Sequence, residues 1–118
     1  MTTNFESKTI KPNRSVPLRF IGAMIAETQW DTRNGDWMAF IIYETRGGAY
    51  IAVTEGNVPG NPDRVERTAT VVIPIVGEAG ERDENAMRIA VLAHFEFHDR
   101  AKAMLKRELG WSPFIEVQ

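Results

Sequence analysis

His94 and His98 are the residues in this chain whose type and spacing come nearest to a reactive centre. They stand four apart, with Glu96 between them and Asp99 after. On a helix that interval puts both imidazoles on one face, as a divalent metal requires. A metalloprotease-type motif needs Glu directly after the first histidine, to act as base, and here Phe95 occupies that place. A third ligand would have to come from elsewhere, and Phe95 and Phe97 surround the pair. The favoured reading is packed or interface histidines. No metal site is expected, and His94 and His98 are its only candidates.

Other constellations fail on chemistry. Gly77-Glu78-Ala79-Gly80 lies between a strand pattern and a helix pattern, the order of a phosphate-binding loop. Its glycine spacing fits no nucleotide fingerprint, and no Lys-Ser/Thr pair follows. Glu78, Glu81, Asp83 and Glu84 would repel a phosphate. Asp31 to Asp36 has the look of a calcium loop, but Arg33 stands where an oxygen ligand belongs and no Glu closes it. Ser7, Ser15 and Ser112 lie in terminal segments, outside any nucleophile motif. No catalytic residue and no cofactor emerge.

Arg100, Lys102, Lys106 and Arg107, with Lys8, Lys11 and Arg14, form a candidate basic patch. Trp37, Tyr43 and Tyr50 on a sheet could stack bases. Against this stand a net charge of −2, the lack of an aromatic RNA-binding motif, and the simpler role of the later cations at a helix C-terminus. A nucleic-acid module is carried as an alternative.

These residues need elements to position them. At 118 residues the chain is read as one domain with one core. Its 43% hydrophobic and 25% charged content is that of a soluble globular protein. With no cysteine, disulfide scaffolds, thiol chemistry and zinc ribbons are excluded. No secretory leader or membrane span is read, so the expected location is cytoplasmic.

Residues 1–16 are polar and read as a flexible arm, followed by a single domain over 17–118. Leu18 to about Gln29 makes a first strand, and Asn34-Gly35 turns the chain into a second, Met38 to Tyr43. Gly47-Gly48 turns it again into Ala49 to Val53. A fourth strand runs from Arg64 to about Ile75, placed at an edge by Pro74. From Asp83 to Gly110, Met87, Val91, Phe95, His98, Ala101, Leu105 and Leu109 recur at helical spacing. Gly110 suits the C′ position. A break near His94–His98 is left open.

The expected fold is therefore α+β, a four-stranded antiparallel meander with a long, or once broken, C-terminal helix across one face. Both faces of the first strands are apolar, so one helical layer leaves greasy surface behind. That surplus points to a homodimer through Ile21, Ile25, Trp37, Ile41 and Tyr43. The tail Trp111–Ile115, a split helix or a different protein are the competing covers. The function expected is a small non-enzymatic interaction or accessory protein that binds a macromolecule and self-associates. The alternatives are nucleic-acid binding and a small-ligand or metal site holding His94 or His98 between sheet and helix.

Overall fold

The computed structural model describes residues 4–118. The α+β class and the antiparallel sheet are as expected, with two differences. Among the described residues the sheet has five strands rather than four, and two short helices replace the long one. The strands are β1 (Glu6–Ile10), β2 (Leu18–Asp31), β3 (Trp37–Thr45), β4 (Tyr50–Val58) and β5 (Asn61–Val72), in sequence order across the sheet. The extra strand, β1, falls inside the segment read as an arm. Glu6-Ser7-Lys8-Thr9-Ile10 carries little apolar signal of its own, and pairing with Leu18 to Gly22 supplies its order.

The hairpin turns follow local chemistry. Asn34 (φ 60°) and Gly35 (φ 79°) take the left-handed conformations that a tight turn between β2 and β3 requires. Within β2, the register against β3 shifts between Met24 and Ala26, leaving Ile25 as an extra residue. A bulge of this kind exchanges the faces of everything beyond it. Met24 thus lies opposite Tyr43 on the side away from the helices, whereas Ala26 lies opposite Ile42 on the helical side. Simple alternation along the strand assigns Met24 and Ala26 to the same face.

Two buried clusters result. On the helical side, Phe40, Ile42, Tyr50, Ala52 and Val72 of the sheet pack against Met87, Val91, Leu92, Phe95, Met104 and Leu105. On the far side, Ile10, Ile41, Ile51 and Val53 are buried with Leu18, Phe20 and Tyr43 against them. Among the described residues no second layer covers them. Instead, the twisted sheet curls until the β1–β2 connection meets β5. Asn13 N–H donates to the Arg67 carbonyl at 3.0 Å, and Arg67 N–H donates back to Asn13 Oδ1 at 2.5 Å. Asn13 Nδ2 adds a bond to the Val65 carbonyl at 3.3 Å. Much of the apolar surplus on the far side is covered by the chain itself.

The helical region is α1 (Glu84–His94), α2 (Asp99–Met104) and a wider final turn, Leu105–Leu109. Asp83 caps α1 by accepting the Ala86 N–H at 3.0 Å. The break after His94 has a defined cause. Glu96 N–H bonds the Ala93 carbonyl and Phe97 N–H bonds the Leu92 carbonyl, both at 3.0 Å. That is the paired closure of a Schellman motif. Glu96 (φ 55°) occupies the left-handed position that glycine usually fills, and Phe97 (φ 56°) follows it there. His98 then starts α2, its Nδ1 accepting the Arg100 N–H at 3.0 Å. The helical region ends at Gly110 (φ 67°), as its position predicts.

Candidate functional site

The two histidines part company. His94, at the end of α1, lies over β4 and β5, with Nε2 3.0 Å from Thr54 Oγ1 and Nδ1 2.7 Å from Thr70 Oγ1. Burial holds its pKa below the ordinary imidazole value. His98 is engaged as the cap of α2, with its ring against Trp30 and Phe40. The break between the helices gives the two rings different neighbours. Among the described residues, no group of three or more His, Cys, Asp or Glu is placed to hold a metal ion.

The five residues read as an interface are dispersed. Ile41 is buried in the far-side cluster, with Tyr43 packed beside it and edge-on to Phe20. Ile25, at the bulge, packs into the helical-side core. Trp37 is half-buried and its N–H donates to Asn57 Oδ1 at 2.7 Å, while Ile21 is exposed near the β1 edge. The bulge and the curl, neither visible in strand alternation, separate them.

The four helix cations are all exposed. The Arg100 guanidinium stacks over the Trp30 ring at 4.7 Å. Lys102 and Lys106 instead border a groove of about 450 Å³ between α1, the start of the final turn and the C-terminal tail. Its apolar wall comprises Ile89 and Leu92 of α1, Phe97 of the helix break, Leu105, Trp111 and Phe114. That volume lies in the usual range of about 300–1,000 Å³ for ligand sites.

Each wall has a physical origin. The Schellman closure brings Phe97 beside Leu92 and leaves the residue 49% exposed. Trp111 is buried against Tyr50, ring centroids 4.9 Å apart, with the Arg88 guanidinium over its ring at 4.8 Å. Beyond it, Asn85 of α1 clasps the tail. Its Nδ2 donates to the Phe114 carbonyl at 2.8 Å, and Phe114 N–H donates to its Oδ1 at 3.0 Å. The tail is thereby held as the second wall, with Phe114 and Ile115 exposed.

A second cavity, about 290 Å³, opens on the far side of the sheet, lined by Thr9, Lys11, Tyr43, Glu55 and Arg67 over Ile10, Ile41 and Val53. Glu55 and Arg67 already satisfy each other at 2.6 Å. Burial first, then the Glu55 and Glu27 carboxylates, push the Tyr43 phenol upward.

The groove was not legible as a site. Phe97 reads as one more aromatic in a helix, and Asn85 as a capping residue. Phe114-Ile115, an apolar pair beyond a helix end, is the only sequence signal for it. No protein-family model, curated protein or solved structure matches this chain.

Proposed function

We propose that this chain is a small non-enzymatic interaction protein that binds a partner macromolecule in the groove between α1, the final helical turn and the tail. The observation that carries the reading is Phe97. Its backbone occupies a left-handed conformation that costs a bulky residue about 1–2 kcal/mol, and the residue, which lines the groove, is half-exposed. Strain of this kind is often kept where a side chain must be displayed. Exposed apolar surface around it, from Phe114 and Ile115, is the second mark of a recognition site. Covalent crosslinking in the native host, read by mass spectrometry, tests the reading. Phe97→Ala and Ile115→Asp should each cut capture of the principal partner about tenfold or more, the scale of an interface anchor. Val71→Glu, on the far sheet face, serves as the control. Equal capture by all variants would dispose of the groove.

Self-association is the second reading. Met24, Tyr43, Ile51 and Val71 form one row across the far face, with Met24 47% and Val71 43% exposed at its ends. A two-fold partner on that row would cover both. Sedimentation across a concentration range tests it, and a Val71→Glu variant that sediments like the wild type at every concentration would end it.

No helix among the described residues is long and apolar enough to cross a membrane.

A further inference from the structure

This inference rests on the groove being the binding site. We infer that its occupant is an acidic amphipathic helix of a partner protein. Apolar side chains of that helix, one turn apart, lie against Ile89, Phe97 and Phe114, and its flanking carboxylates meet Lys102 and Lys106.

Shape and charge each contribute. Phe97, Phe114 and Ile115 are exposed, so the groove is an open trough along that side. A lipid acyl chain laid there would keep one flank in water. An amphipathic helix has an apolar stripe to bury and a polar back to turn outward, which suits a trough. The charged residues among the lining are Lys102 and Lys106, with no carboxylate. Neither lysine takes part in a salt bridge among the described residues. The carboxylates nearest in sequence, Glu96, Asp99 and Glu116, are outside the lining, and Glu108 is engaged with the Glu27 N–H at 3.1 Å. Lys102 and Lys106 stand four residues apart, roughly 6 Å along a helix. Carboxylates one turn apart on a docked helix match that spacing. Complementary charge at the rim sets partner choice and register more than affinity.

The test is selection from a phage-displayed library of helix-forming peptides, randomised at the exposed positions, against the full-length chain. It is repeated against the Lys102→Glu/Lys106→Glu double variant, or Lys102→Gln/Lys106→Gln should that variant not fold. Binding sites are mapped by amide chemical-shift changes. The expected result is groove-mapped peptides with apolar residues at i, i+3 or i+4 and i+7 and an excess of Asp and Glu. Their affinity should fall about tenfold or more on the double variant, and lysine-bearing counterparts should gain on the Glu form. Groove-mapped peptides that are neutral, basic or extended would overturn the acidic helix and leave the groove standing as a binding site. Dodecanoate shifting the groove amides at lower concentration than the tightest peptide would likewise overturn it. Peptides that map elsewhere, or no enriched peptide, would remove both the inference and the groove reading.

Discussion

His94 shows what spacing can and cannot reveal. Its interval from His98 is plain in the sequence, but its partners, Thr54 and Thr70, come from strands forty and twenty-four residues away. Those partners also predict its pH behaviour. Burial lowers the folded-state pKa, so the unfolded chain binds this proton more tightly. The contribution of neutral His94 is therefore complete above the unfolded value of about 6.5. It is lost as pH falls from there through the folded value. Urea unfolding at about pH 7.5 and about pH 5.5 should show a larger loss for the wild type than for His94→Gln. The glutamine keeps both donor and acceptor and does not titrate. Equal losses would show that this imidazole is solvated. Gly110 is the opposite case: its place after a helical run, followed by Trp111, was readable from the chain alone, and the left-handed turn there is as predicted.

Among the elements, the sheet was legible where composition is strong and illegible where pairing does the work. β2, β3 and β4 are dense in β-branched and aromatic residues, and their turns carry Asn-Gly and Gly-Gly. β1 is not, because a polar strand at an edge acquires its order from its neighbour. The bulge at Ile25 left no trace either, since Met24-Ile25-Ala26 is equally apolar in either register. One long helix or two could not be decided from the sequence for a related reason: the apolar period runs unbroken through Phe95, and the chain turns on a non-glycine residue, Glu96, within the His94–His98 stretch where a break is left open. The β1–β2–β3 junction depends on Gly22. A Cβ there would stand 2.5 Å from the Glu44 carbonyl oxygen and 2.9 Å from the Phe20 ring. Backbone must move to admit it. Gly22→Ala should destabilise the fold by about 1–3 kcal/mol, the cost of overpacking, seen as a lower denaturant midpoint with unchanged slope. An unchanged midpoint would mean that β2 and β3 shift apart at little cost.

At the scale of the molecule, the chain itself covers part of the apolar surface that strand alternation leaves on both faces of the sheet. A flat two-layer picture leaves one face bare. The curled sheet brings residues 10–20 over Ile41, Ile51 and Val53 and leaves smaller exposed strips at Met24 and Val71. The apolar groove lies instead where the tail returns across α1, a contact that Asn85 makes with a residue twenty-nine positions on. No window of sequence reports such a contact. The clasp of Asn13 on Arg67 spans 54 residues, whereas each strand otherwise pairs with its immediate successor. Neighbour pairing closes short loops, and so it can proceed early; the clasp must wait for the meander to curl. Asn13→Ala should accordingly steepen the loss of the native state, raising the unfolding rate several-fold while the refolding arm of the chevron stays put. If refolding slows in proportion instead, the ends of the ribbon meet at the rate-limiting step, and this protein is assembled from its rim inward.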